Sequence, residues 1–462
     1  MNRTTKRASL LVLLAAAAFL PALANGPLED DTPLLHDRLF AVRSWADLPS
    51  LLTQSYWGNL ADSGLWRPFA LITLAVERLL FGHHLWAFRV VNIGAHCACT
   101  LMTWRLAGRL LGGGEVRWKS AWLAAAVFAV HPIHAEAVAT VYGQPEVLAA
   151  VAALGVVLLA TPVGVVRFRA ARQVSVVVVT LIAFGFKETT LLLPLVIVAL
   201  RWLTAGLSAA DAVPFLAWAV YLPLRRAILG SDWTPPVTVV DDGIIGRAVT
   251  AVVAVGQDLK LLVLPWRQTI YYGHLRDRIA AGGGMEMLWL LIAAWAGRWL
   301  WRSRGNGGRA SLICLAAFLL PVANVLPIGV LVAERTLYLP SVAVVIAGAA
   351  VFQRLRVATA SALAAGLVTV GMALCWTVLA QWRDARTAWE VSLTDHPTAA
   401  RTAAEVVLLR LADPAFSDTA ADRAQLHRLL DDARRRVPDS PRVAAASAAL
   451  ADHERRPRRS LP

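Results

Sequence analysis

The chain has 462 residues, 57% of them hydrophobic and 16% charged, with a formal net charge of +14. A water-soluble fold of ordinary size cannot hide so much apolar side chain, so the bilayer is the solvent, and the excess charge lies in short loops between apolar runs, which excludes a nucleic-acid binder. Cys97, Cys99, Cys314 and Cys375 all fall inside apolar stretches, which leaves neither a disulfide framework nor a zinc site.

The first apolar run, 9–24, follows Arg3, Lys6 and Arg7 and ends in Ala22-Leu23-Ala24. It reads as a first span or as a cleavable signal peptide, and either way the acidic segment Glu29-Asp30-Asp31 emerges outside. Residues 25–85, rich in Trp, Pro and polar side chains, predict a long external loop with helices lying along the surface, such as 68–81. Spans are then expected at 86–106, 120–131, 146–164, 212–226, 285–301, 310–331, 337–353 and 358–380.

The runs 174–186 and 189–203, with Lys187 and Glu188 between them, form either a hairpin of two short spans or one long span with buried charges. A hairpin makes the loops 105–119, 165–173, 298–309 and 354–356 cytoplasmic, and these hold thirteen basic residues and one acid, Glu115. A span at 248–264 would restore parity another way, but Gln257, Asp258 and Lys260 argue against it. The expectation is an all-α polytopic membrane protein with eleven spans, N-terminus inside and C-terminus outside. Trp118, Trp122, Trp202, Trp299, Trp301 and Trp382, at the ends of runs, read as interfacial anchors. Two parts follow: a membrane domain at 1–380 and an external helical tail at 381–462, of which 440–462 is expected to be loose.

Four polar groups converge on the external face. They are Glu29-Asp30-Asp31; His131 and His134 with Glu136 and Glu146; Lys187-Glu188; and Glu334-Arg335. The acids after the first span are either a solvated exit from the membrane or a general base with an orienting neighbour. His131 and His134, three apart, suit a metal pair or a structural cap where Pro132 breaks the helix. Lys187 and Glu188 are costly between apolar runs unless paired or lining a cavity. Arg335, just before Tyr338 at headgroup depth, is an interfacial anchor or a grip on a lipid phosphate.

The segments LEDDTPLL, LWRPFALITL, FAVHPIHAEAVATVYGQPE, GFKETTLLLP and VAERTLYLPS, in this order, resemble those of the transmembrane-and-tetratricopeptide-repeat O-mannosyltransferases and their bacterial relatives. The resemblance covers residues 1 to about 396. It implies a GT-C fold and inverting transfer of a sugar, typically mannose, from a polyprenyl-phosphate carrier to a protein or glycan hydroxyl. The site would face the periplasm of a bacterial inner membrane. It implies Asp30 or Asp31 as the base. Arg335, Lys187, Glu188, Arg67, Glu334 and Tyr338 would hold the donor, and His131, His134, Glu136, Gln144 and Glu146 would line the cavity. No cofactor is required, and a divalent metal stays open.

Three positions depart from the family pattern: Gln144 where arginine is usual, Trp66 for tyrosine and Ala135 for threonine. The tail has room for two degenerate repeats at most, fewer than the roughly three needed to bury a core by stacking. A transporter or flippase of a lipid-linked substrate would also place charges in a membrane cavity. The acids cluster in the first external loop rather than mid-span, which favours the enzyme. A non-catalytic scaffold would instead make the Asp pair dispensable.

Overall fold

The computed structural model describes residues 2–39, 41–58, 64–161, 169–230, 243–275, 279, 283–303, 305–325 and 330–455. Every regular element among them is helical. The first helix, α1 (Arg3–Phe19), is capped by Asn2, whose side chain accepts from the Thr5 amide at 2.8 Å. Leu11, Ala15, Ala18 and Phe19 are fully buried, and the Trp122 and Trp376 indoles donate to the Arg7 and Ala17 carbonyls. The run that could be read as a signal peptide is thus packed as a bundle helix.

Within 25–85, α2 (Pro68–Phe81) forms where a helix was expected. Proline opens it, where no amide partner is needed, and Gly82 closes it at φ 63°, a conformation that glycine adopts without strain. The helices α3 (Leu85–Leu110) and α4 (Glu115–Ala129) follow. Pro132 then ends the ladder, and the chain bends by 52° into the short α5 (Ala135–Ala139). Next come α6 (Gln144–Ala160), α7 (Arg169–Phe186) and α8 (Leu193–Ala205).

Lys187 is extended at φ −159° between α7 and a single turn at Glu188–Thr190, so the run is broken at the charges into two helices rather than continuing as one. After α9 (Leu216–Leu229) come α10 (Gly243–Val263), α11 (Gly284–Arg302), α12 (Asn306–Leu319), α13 (Tyr338–Phe352) and α14 (Val357–Gln381).

Six described helical stretches are long and apolar enough to cross a membrane, or seven if the bent pair at 115–139 is one span. Shorter apolar helices at Gln144–Ala160, Ala170–Phe186 and Asn306–Val322 pack with them. The chain is therefore a helical multi-pass membrane protein. The expected eleven spans are reached only by also counting those short helices and α11, which carries Glu286, Arg298 and Arg302. Parts of two expected spans, 162–164 and 326–329, lie outside the described residues.

The tail forms two helix pairs, α15 (Ala385–Asp395) with α16 (Ala400–Ala412) and α17 (Ala420–Arg436) with α18 (Pro441–Arg455). They share a small core of Ala404, Val407, Leu426, Leu430, Val443, Ala446 and Leu450. The expectation that 440–462 is loose fails up to Arg455, because α18 buries one apolar face; 456–462 lie outside the described residues.

Candidate active site

The segment after α1 is tied down at both ends before its acids are placed. The Asn25 side-chain amide donates to the carbonyls of Leu379 and Trp382, at 2.9 and 3.1 Å. Arg89, fully buried at the start of α3, donates Nε to the Ala139 carbonyl and Nη2 to the Gly26 carbonyl, at 2.8 and 2.7 Å. The loop therefore sits between the ends of α3, α5 and α14.

The two adjacent aspartates part company here. Asp31 is fully buried; its Oδ1 accepts the Val141 and Tyr142 amides at 2.8 and 3.1 Å, and its Oδ2 accepts the Leu28 amide at 3.1 Å. Burial pushes its carboxyl up to about 6, opposed by those amides and by Arg89. Asp31 thus fastens the loop to the α5–α6 turn. The half-buried Asp30 carboxylate takes no hydrogen bond or ion pair among the described residues and lies within electrostatic reach of Arg335.

Glu29, ahead of them, is held at φ 33°, uncommon for a residue with a side chain. Its Oε1 accepts from Arg401 of α16 at 2.9 Å. Burial first, then the neighbouring Asp30, raises its carboxyl to about 7, with Arg401 and Arg335 opposing.

Three cations face this segment, each beside an acid. Arg335 donates its backbone amide to Glu136 at 2.8 Å, pairs through Nη1 with the other Glu136 oxygen, and lies 4.9 Å over the Tyr142 ring. Lys187 makes a 3.0 Å ion pair with Glu146, which also accepts from the Thr189 hydroxyl. Arg67 donates Nε to Glu188 at 2.8 Å and stacks over Tyr56 at 4.9 Å. Burial, and then the nearby Arg67, hold the Lys187 ammonium below its ordinary range.

These contacts leave donors over. Among the described residues, protein acceptors take only Nη1 of the Arg335 guanidinium and only Nε of Arg67, so each keeps N–H groups for a bidentate oxyanion. Gly143 keeps the acids close to the cations: a Cβ there would sit 2.5 Å from the Glu136 carbonyl oxygen.

The remaining expected residues are engaged elsewhere. Glu334 accepts from Gln268, the Thr269 amide and the Tyr272 hydroxyl, clamping the segment 268–272. Tyr338 hydrogen-bonds His96 at 2.7 Å inside the bundle, and His134 bonds Ser341 at 2.9 Å. His131 caps the Pro132–His134 turn, its Nδ1 accepting from Ile133. No group of three or more potential metal ligands occurs among the described residues. Gln144 donates to both Glu77 oxygens, at 2.9 and 3.1 Å.

Tyr56, Tyr142, Arg89 and Arg401 were not among the residues expected to form the site, and Glu29 was expected only as part of the acidic run. The acidic run and the motif around Tyr142 were visible in the sequence; nothing local marked Arg401.

No protein-family model matches the chain. A segment is 37% identical over 107 residues to protein O-mannosyl-transferase Tmtc2 of Drosophila melanogaster, covering 21% of this chain and 11% of that protein. Another match, to human protein O-mannosyl-transferase TMTC1, is 30% identical over 126 residues, 25% of this chain and 14% of the relative. Protein O-mannosyl-transferase F38B6.6 of Caenorhabditis elegans is 27% identical over 154 residues, covering 32% and 22%. The crystal structure of ArnT from Cupriavidus metallidurans bound to undecaprenyl phosphate aligns over 96% of this chain and 77% of that one, with TM-score 0.45 and 15% identity. The chain is thus similar to the O-mannosyltransferases, through matches that span between 11% and 22% of those relatives' length.

Proposed function

We propose that the protein is an inverting glycosyltransferase of GT-C type that moves a sugar, mannose, from a polyprenyl-phosphate carrier to an acceptor hydroxyl on protein Ser or Thr. The reaction takes place on the outer, periplasmic face of a bacterial inner membrane. The single observation that carries this reading is the half-buried Asp30 carboxylate, which takes no hydrogen bond or ion pair among the described residues and lies within electrostatic reach of Arg335, whose guanidinium keeps unused donors. The likeness to O-mannosyltransferases supports the choice of sugar and acceptor.

In this reaction Asp30 accepts the acceptor's hydroxyl proton as that oxygen attacks the anomeric carbon. The bond from that carbon to the carrier's phosphate oxygen breaks, and its electron pair leaves on the phosphate. Arg335 and Arg67 bind the oxyanion with their free N–H groups, and Lys187 adds positive charge beside them. Asp31 holds the loop that carries Asp30.

The test is to incubate purified protein with radiolabelled polyprenyl-phosphate mannose and, separately, glucose, with and without Ser/Thr-containing acceptor peptides. Label should appear in peptide from the mannosyl donor, with inverted anomeric configuration. Donor recovered intact under every condition would contradict the reading.

A further inference from the structure

The positively charged end of the bundle carries a cavity of about 630 Å3. Its walls come from three separate connections: Val116 and Arg117 in the first turn of α4, Trp299 and Arg302 in the last turn of α11, and Gln353 and Arg354 after α13. The end opposite the candidate active site is where these belong, because α4 ends at and α13 begins at that site. Three guanidiniums thus share one space, and no carboxylate lines it.

Their hydrogen-bonding capacity is almost unspent. Arg117 makes one long bond, 3.4 Å, to the Gly112 carbonyl. The Arg354 guanidinium lies over the Trp299 ring at 4.6 Å, and its N–H groups take no protein acceptor among the described residues. Arg302 has no protein acceptor among the described residues. The neighbouring Glu115 is turned to Arg3, at 3.8 Å. Three like charges with open donors are relieved by an anion whose oxygens accept several N–H bonds at once.

Where the cavity lies selects the kind of anion. Of its lining, Trp299 and Val116 are exposed, and Trp295, one helical turn before Trp299, is exposed as well, an apolar and aromatic rim of the sort that sits at headgroup depth. A soluble ion would leave that rim uncovered, whereas a lipid would lay its acyl chains against it. We propose that the cavity between Arg117, Arg302 and Arg354 is a binding site for the phosphodiester headgroup of an anionic membrane lipid, on the face opposite Asp30. This inference is independent of the transfer reaction.

The full-length protein in mild detergent is titrated with phosphatidylglycerol or phosphatidylcholine, and retained lipid is counted by native mass spectrometry. Wild type should retain phosphatidylglycerol over phosphatidylcholine by about a hundredfold, and Arg117→Gln/Arg302→Gln should lower that ratio about thirtyfold, since each of the three interfacial arginines is worth on the order of 1 kcal/mol. Equal retention by wild type and variant would overturn the site. Displacement of phosphatidylglycerol by an equal concentration of inorganic phosphate would also overturn it, because the lipid would then add nothing to the anion. Helical content and elution volume establish that the variant is folded; if it is not, the exposed single variant Arg302→Gln carries the same comparison.

Discussion

Arg401 Nη2 lies 2.9 Å from Glu29 Oε1, joining residues 372 positions apart in the chain. The guanidinium also lies over Tyr271 and Trp389, at 4.9 and 5.8 Å, and Thr269 bonds Ser392 at 2.6 Å. The tail therefore packs on the acidic segment and on the loop that Glu334 clamps. Arg401→Ala should lower transfer about tenfold or more by releasing Glu29 beside Asp30, as expected for loss of a partly buried charged contact. Steady-state kinetics test this, and an unchanged kcat/KM would leave the tail without a part in the site.

The same contact places the tail on the Asp30 side of the bilayer. A phosphatase reporter fused after Val378 should be active, as it folds only outside the cytoplasm. An inactive fusion would put the acidic segment inside as well.

Glu29 and Asp31 make stability depend on pH with a definite sign. Their folded-state values, about 7 and about 6, stand above the ordinary 4.5 and 3.8. Between these limits the folded chain holds protons that the unfolded chain has released, so stability falls as pH rises from about 4 to about 7. The melting midpoint should decline across that range, and Glu29→Gln should flatten the decline. A variant profile parallel to wild type would contradict the assignment.

Gly143→Ala should disturb the site through the backbone, because the new methyl would lie 2.5 Å from the Glu136 oxygen and 2.7 Å from the Ala137 Cα. Overpacking of this kind costs about 1–3 kcal/mol. Since Glu136 would move away from Arg335, donor KM should rise as well. A variant with wild-type melting and KM would show that α5 yields freely.

Gln144→Arg is the informative change at a position that departs from the family pattern. Glu77, 4% exposed, has its carboxyl raised to about 7 by burial and, among the described residues, receives only an amide from Gln144. An arginine there should let Glu77 ionise at lower pH, so the melting midpoint should rise at pH 8 and change little at pH 5. A lower midpoint at both values would mean that the space does not admit a guanidinium.

Much of the fold was legible because apolar runs and basic loops report directly on the bilayer. The helix at 68–81, the break at Pro132 and the break around Lys187 follow from local chemistry. Span lengths were less so: α6 and α12 are short, and α11 mixes charge with tryptophan. Within the site, sequence brought Lys187, Glu146, Arg335 and Glu136 to one face but could not pair them. Nor could it separate Asp30 from Asp31, since that difference is made by the Val141 and Tyr142 amides more than 100 residues away. His134 and Tyr338 looked exposed to the site from their motifs, yet their rings, 4.6 Å apart, pack inside the bundle. Arg401 carried no signal because its role exists only once the tail is folded back.

The most direct measurement compares wild type, Asp30→Asn and Asp31→Asn for single-turnover transfer of labelled mannose from its polyprenyl phosphate, alongside their melting midpoints. Asp30→Asn should keep wild-type melting and lose transfer by about 100-fold or more, as removal of a general base predicts. Asp31→Asn should melt lower, because an amide cannot accept all three backbone N–H groups that its carboxylate holds. Undiminished transfer by Asp30→Asn would contradict the account.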